Sequence, residues 1–193
     1  MKFYDVSKDI LNCPVYPGDP IPKISKISSI DNRDCFNTSK LDFCLHTGTH
    51  IDAPFHVLPN GKTSDEIDLS LLMGECIVKA YFEDIMTGAD AEKFLPDKTK
   101  RIFIKGYGKT RLDKTAAFAL SALGVDVIGI DSESIGTETD DFEVHRQLLL
   151  NNIVIIEGLD LSGVQSGDYG YSALPIKISG ADAAPCRVVL FKK

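Results

Sequence analysis

The sequence predicts one mixed α/β domain covering residues 1–193. The length suits a single domain with a substantial core. Short apolar segments rich in Val, Ile and Phe recur along the chain, and this pattern predicts strands. In the second half, helical patterns separate such segments, which indicates parallel β-α-β pairing. No linker rich in Ser and Gly, no repeat and no low-complexity segment divides the chain.

Seven predicted strands and three predicted helices follow one another along the chain. The strands are bounded by Gly, Pro, Asp or Asn, as is typical of sheet segments. Pro96 ends the first helix, and Gly124 stands where the end of the second helix favours glycine. The predicted strands are residues 2–6, 41–45, 77–82, 101–104, 125–130, 153–156 and 187–191, and the predicted helices are residues 90–95, 115–123 and 142–150.

The charge and hydropathy of the chain exclude two classes of partner. The formal net charge is -7, and no lysine-rich run or basic stripe occurs. A protein that binds nucleic acid or an anionic membrane surface needs a basic face, so neither partner is expected. No segment approaches the roughly 20 apolar residues that a transmembrane helix needs.

The cysteines indicate a reducing compartment. There are five of them, scattered and without a C-x-x-C pair, so they do not form a disulfide framework. The N-terminus also lacks the long apolar segment of a secretory signal. We therefore expect a cytoplasmic protein whose thiols are mostly buried.

Histidines are concentrated in one short segment, HTGTHIDAPFH at residues 46–56, which holds three of the four in the chain. Imidazole and carboxylate groups are the usual ligands of an ion such as zinc. In an extended strand, His50 and Asp52 would point to the same side about 6.6 Å apart. His46 would lie about 13 Å away in a straight strand, so a bend is required. Gly48 is the residue that permits one.

Other interpretations of these residues remain open at this point. Asp and Thr also close turns, and the spacing H-x3-H-x-D is looser than a zinc-finger pattern. For two further candidate ligands, His145 in the third helix and Glu157 after an apolar strand, a surface position is the favoured interpretation when each is considered alone. Cys44 beside His46 could be a nucleophile, but its apolar neighbours favour a core position.

Several motifs in a fixed order resemble those of one family. The segment at 46–56 matches the pattern H-x-G-T-H-x-D-x-P-x-H, and further motifs cover nearly the whole chain. They are Tyr16-Pro17-Gly18-Asp19, Gly129-Ile130-Asp131-Ser132, Glu157-Gly158-Leu159, Leu174-Pro175-Ile176-Lys177 and GADAAPCR at 180–187. Together they resemble the cyclase-like family of metal-dependent hydrolases, which includes bacterial kynurenine formamidase and isatin hydrolase. The resemblance implies a swivelling β/β/α-like fold and a homodimer or higher homo-oligomer.

The same resemblance implies a site for two divalent ions, zinc or manganese. Asp52 would bridge the two ions, and His56 would be a proton donor and acceptor rather than a ligand. The implied metal ligands are His46, His50, Asp52, His145 and Glu157.

The resemblance further implies hydrolysis of a small amide, formamide or lactam. A metal-activated hydroxide would attack the carbonyl carbon, and His56 would shuttle the proton. Two alternatives are a cyclase or lyase reaction at the same site and a metal-stabilised binding protein without turnover. Tyr16 stands where kynurenine formamidases carry a pocket tryptophan, and this chain has no tryptophan. Tyrosine also stacks on aromatic rings, so we expect Tyr16 to bind substrate.

Overall fold

In the computed structural model, which describes residues 1–192, helices separate strands in the second half of the chain, as predicted. Twelve strands and three α-helices occur in these residues. The strands are β1 (Lys2–Asp5), β2 (Lys23–Ser28), β3 (Thr38–Asp42), β4 (His50–Asp52), β5 (Met73–Ala80), β6 (Ile85–Met86), β7 (Arg101–Lys105), β8 (Arg111–Leu112), β9 (Val127–Ile130), β10 (Val154–Glu157), β11 (Gly167–Pro175) and β12 (Ala183–Lys192). The helices are α1 (Gly88–Phe94), α2 (Lys114–Ala122) and α3 (Asp141–Leu150).

Seven of the strands close into a barrel. The order is β12-β11-β5-β7-β9-β10-β4, and β4 also pairs with β12, which closes the sheet. Strands β5, β7, β9 and β10 are parallel neighbours, so the predicted β-α-β pairing is confirmed. Strand β1 extends the sheet beyond β12. The mixed α/β fold class is confirmed.

Alternating side chains divide the apolar residues into two clusters. Phe103 on β7 packs with residues from β5, β10, β11 and β12 in one cluster. Its neighbours Ile102 and Ile104 belong to the other cluster, which contains the buried faces of the three helices. This division follows from the period of two in a strand, where successive side chains point to opposite faces. The central strands therefore have apolar residues on both faces, as parallel strands covered by helices require.

Side chains at the helix ends explain where α1 and α2 begin. Thr87 accepts a hydrogen bond from the backbone N–H of Asp90, and the Asp90 carboxylate accepts one in return from the N–H of Thr87. Asp113 caps α2 in the same way through the N–H of Ala116. Gly124 has a φ of 73° just after α2, as predicted for the residue that follows a helix.

Three parts of the sequence-based description are wrong. The strand predicted at 41–45 ends at Asp42, because the chain then turns toward His46, with the N–H of Thr47 donating to the carbonyl of Cys44. Strands β2, β4, β6, β8 and β11 were not predicted. In β11, two glycines and a terminal proline weaken the strand pattern. Only two of the five cysteines, Cys76 and Cys186, are buried.

A separate two-stranded hairpin is formed by β2 and β3, which pair only with each other among the described strands. Almost all of its residues are exposed. No helix within residues 1–192 is long and apolar enough to cross a membrane. The cytoplasmic location stays a prediction.

Candidate metal centre

Strand β4 presents His50 and Asp52 on one face of the barrel wall. It lies between β10 and β12, with Glu157 directly opposite His50 and Ala183 opposite Asp52. Ile51 between them points the other way, into the cluster that contains Phe103. Directly opposed residues of antiparallel strands share a face, so β4 and β10 together bring His50, Asp52 and Glu157 to one point. All three are almost completely buried.

Helix α3 covers this point and adds His145. Its Nε2 lies 3.1 Å from Oε1 of Glu157 and 3.5 Å from Oδ2 of Asp52. Its Nδ1 lies 2.8 Å from the backbone carbonyl of Asp141, which can only accept, so Nδ1 is the donor. Glu157 is also held, because its Oε1 accepts a hydrogen bond from the N–H of Ile135. The two alternatives in which His145 and Glu157 are surface residues are therefore wrong.

The bend predicted at Gly48 is present, with a φ of 74°. It returns the chain so that Nδ1 of His46 lies 3.0 Å from Oδ1 of Asp52 and 3.3 Å from Nε2 of His50. Nε2 of His46 points outward, 3.0 Å from Oδ2 of Asp182. His50 donates from Nδ1 to the carbonyl of Gly48 at 3.0 Å, which leaves its Nε2 facing the cluster. Each histidine thus turns one nitrogen inward and has an acceptor for the other.

Gly158 allows a close contact between the segment after β10 and the bend before β4. Its φ is 66°, and its carbonyl accepts a hydrogen bond from the Thr49 hydroxyl at 2.7 Å. A Cβ at this position would collide with the carbonyl of Gly48. Only glycine allows the segment after β10 to approach the bend before β4 this closely.

Asp52 has the environment of a metal ligand. Its side chain is fully buried, yet neither carboxylate oxygen has a hydrogen-bond partner within the described residues. A buried carboxylate needs a compensating positive charge, which protonated histidines within 3.5 Å of Asp52 supply in the metal-free protein and a bound cation would supply in their place. The imidazole nitrogens and the Glu157 carboxylate around it are the donor set that zinc and similar ions prefer. The residues present therefore fit a divalent ion.

The electrostatics of the centre show what an ion would replace. Burial lowers the pKa of His50, but Asp52 and Glu157 beside it outweigh this effect and raise the pKa to about 10. Burial likewise raises the pKa of Asp52, but His145, His46 and His50 more than compensate and hold it well below its usual range. In the metal-free protein, protons on the histidines balance the carboxylates. A cation competes with those protons for the same nitrogens.

His56 lies at the edge of the centre, at the end of a short 3-10 helix, Pro54–His56. Its ring centroid is 4.3 Å from that of His46 and 5.5 Å from that of His145. Its side chain is 30% exposed, in contrast to the buried side chains of His50, Asp52 and His145. Burial lowers the pKa of His56, and the neighbouring His46 and His145 lower it further against the opposing effect of Asp52 and Asp182.

The potential ligand atoms form two groups that share Asp52. One consists of His46, Asp52 and His56, and the other of His50, Asp52 and Glu157; within each group the atoms lie within 4.8 Å of one another. Tyr16 is half exposed and lines a small cavity together with His46 and Gly48. The structure thus brings all seven predicted site residues to one region, and their individual roles stay predictions.

Comparisons with known proteins identify the family. Residues 4–102, about half of the chain and including the histidine-rich segment, match the family model described as "Putative cyclase". The kynurenine formamidase of Paracidovorax citrulli is 31% identical, over 97% of this chain and 95% of that protein. The chain belongs to the cyclase family of metal-dependent hydrolases.

Solved structures agree with this membership. A potential metal-dependent hydrolase with cyclase activity is 31% identical and superposes with a TM-score of 0.86, over 100% of this chain and 98% of that one. Isatin hydrolase A from Labrenzia aggregata has a TM-score of 0.77 at 19% identity, over 98% and 93% of the two chains, and shows the shared fold. This cyclase-family member is thus an enzyme, a metal-dependent hydrolase.

Asp182 is the site residue that the sequence analysis did not identify. It immediately precedes β12, where its Oδ2 contacts His46 and lies 3.7 Å from Nδ1 of His56. Burial raises the pKa of Asp182, but the contact with His46 outweighs this effect and lowers it. The residue does occur within one of the motifs shared with the cyclase family, GADAAPCR at 180–187, which was the available signal.

Proposed function

We propose that this cyclase-family hydrolase cleaves the C–N bond of a small amide, formamide or lactam, as an arylformamidase does. The observation that carries the proposal is Asp52, a fully buried carboxylate without hydrogen bonds and surrounded by inward-facing nitrogens. A relative that matches over nearly the full length is named a kynurenine formamidase, and this supports cleavage of a C–N bond. We further propose that residues 1–193 act as one domain.

The proposed metal ligands are His46, His50, Asp52, His145 and Glu157. Oδ1 of Asp52 faces His46 and His50, and its Oδ2 faces His145, which supports two ions with Asp52 as the bridge. Divalent ions in such a site activate water and polarise a carbonyl oxygen. Zinc fits the nitrogen-rich donor set best, and manganese is the alternative.

His56 is proposed to move the proton in the reaction. Cleaving an amide requires protonation of the leaving nitrogen, and a histidine at the edge of the centre can accept and return that proton. Its partial exposure places it between the buried ligands and the space that a substrate would enter. Tyr16, beside His46 at the small cavity, is proposed to stack on the aromatic part of the substrate.

Removing the metal tests the proposal directly. We expect protein purified without chelator to contain close to two equivalents of zinc or manganese by mass spectrometry of the metals. It should hydrolyse N-formylkynurenine or another aryl formamide or lactam. Dialysis against a chelator should abolish turnover, and added zinc or manganese should restore it, because the activating ion is lost and regained.

The outcomes separate the alternatives. Full metal occupancy without turnover on aryl formamides, esters and lactams would favour the binding protein. Metal-dependent consumption of a substrate without uptake of water would favour the cyclase or lyase reaction. The absence of bound metal after supplementation would contradict the metal centre itself.

We also propose that the protein is a homodimer held together by the β2–β3 hairpin. An isolated two-stranded hairpin is marginally stable in water, and this one exposes Ile24, Ile27 and the nearby Phe36. Exposed apolar groups of this kind mark interaction surfaces. A second copy is the proposed partner, because the lysines on both strands would meet the acidic surface of a chain of net charge -7.

Light scattering tests the dimer. The expected mass is twice the 21.1 kDa of one chain. The variant Ile27→Asp should be monomeric, because it places a charge in the contact. Phe118→Asp, at an exposed apolar position on α2, should remain dimeric. A monomeric wild-type protein at micromolar concentration would contradict the proposal.

A further inference from the structure

Asp182 occupies a position that the backbone holds firmly beside the metal centre. The next residue, Ala183, pairs with Asp52 across β12 and β4. The carbonyl of Asp182 accepts a hydrogen bond from the N–H of Ala53 at 2.9 Å. The main chain of Asp182 is thus fixed beside Asp52 and Ala53. Its side chain points outward and is 43% exposed.

The outward nitrogens of the three histidines nearest Asp52 have different acceptors. His50 and His145 each donate from Nδ1 to a backbone carbonyl within their own segment, at 3.0 Å and 2.8 Å. His46 has no such carbonyl: its outward nitrogen is Nε2, and the acceptor is the Asp182 carboxylate at 3.0 Å. His46 is therefore the histidine of this group whose orientation depends on a side chain from a distant part of the sequence.

The identity of the outward acceptor determines which nitrogen can bind a metal ion. A neutral imidazole carries one proton, and a carboxylate facing Nε2 keeps that proton there. Nδ1 of His46 also faces a carboxylate oxygen, Oδ1 of Asp52 at 3.0 Å, but a cation in the centre would compensate that charge. The single proton of His46 would then stay on Nε2, and the lone pair of Nδ1 would be directed into the centre. Carboxylates in this position also make a ligating histidine more basic and fix its ring orientation.

We propose that Asp182 is a positioning residue for the metal centre: it holds the proton of His46 on Nε2 and so directs Nδ1 to the ion. The same Oδ2 lies 3.7 Å from Nδ1 of His56, so Asp182 also holds the proposed proton carrier beside the ligand. This inference rests on the proposed function, because it assigns His46 as a metal ligand.

Zinc affinity and the proton on His46 test the inference together. We expect Asp182→Ala to weaken zinc binding by about 10–100-fold in a competition titration, the usual loss for an outer carboxylate. In long-range ¹H–¹⁵N spectra of the zinc-loaded protein, the Nε2 proton of His46 should exchange slowly in the wild type and quickly in the variant. Asp182→Asn retains an acceptor oxygen and should recover part of the affinity. Asp168→Ala, an exposed aspartate on β11, is the matched control and should bind zinc like the wild type.

Three results would overturn the positioning role of Asp182. Zinc affinity of Asp182→Ala within about 3-fold of the wild type, or an unchanged Nε2 signal, would overturn the inference. Loss of one complete equivalent of zinc would also overturn it, because Asp182 would then be a ligand itself. A wild-type protein that binds zinc but hydrolyses no amide would refute the proposed function and leave these two measurements decisive for Asp182. A wild-type protein that binds neither zinc nor manganese would refute both.

Discussion

Asp52→Asn should weaken metal binding by more than about 100-fold and reduce turnover by at least the same factor. The loss should exceed the 10–100-fold typical of an outer partner, because Asp52 is common to both groups of donor atoms. The amide has nearly the shape of the carboxylate but no negative charge, so a bridging position would lose both its charge and one oxygen donor. Metal content after gel filtration and kcat on an aryl formamide are the measurements.

The stability of the metal-free variant distinguishes lost binding from lost folding. In the metal-free protein the histidines around Asp52 hold its pKa well below its usual range, so the fold stabilises its charge and removing that charge costs stability. We therefore expect metal-free Asp52→Asn to unfold in one cooperative transition, as a folded protein does, with a Tm below that of the metal-free wild type. Asp168→Asn is the matched control and should retain both metal and activity. Normal metal content in Asp52→Asn would contradict the bridging role.

His56→Ala should keep its metal while kcat falls by about 10²–10⁴-fold, the usual contribution of general acid–base catalysis. The expectation follows from its position, since the ring lies against His46 but is 30% exposed and therefore belongs to the edge of the centre. Metal stoichiometry and kcat measured on the same preparation provide the test.

Added imidazole supplies the second half of this test. Because the side chain is partly exposed, the space that His56→Ala creates is accessible to a small molecule. Imidazole should restore part of the lost rate if the missing function is proton transfer. The atoms of His56 also lie within reach of His46 and Asp52. A loss of metal in His56→Ala would therefore make His56 a ligand and refute its proposed role.

Local patterns in the sequence were sufficient to predict many of the strands and helices. The apolar segments at 101–104 and 153–156 lie within or overlap β7 and β10, and Gly124 follows α2 as expected. These features depend on side-chain period and backbone preference, which operate over a few residues. Strand β11 was missed because its glycines and proline weaken the local pattern, and its formation depends on the pairing with β5 and β12.

The sequence by itself determined the kind of chemistry. The concentration of three histidines and an aspartate within 46–56 predicts a metal site, and Gly48 makes possible the bend that brings them together. Ligand type and short-range spacing are properties of the residues, so they can be read without the fold.

Only the tertiary structure decided which distant residues complete the centre. His145 and Glu157 could have been surface residues until helix α3 and strand β10 brought them against Asp52. Asp182 became visible as a partner of His46 only through the pairing of β12 with β4, across 136 positions of sequence. The physical reason is that closing a barrel brings together residues from both ends of the chain. No local pattern records those contacts.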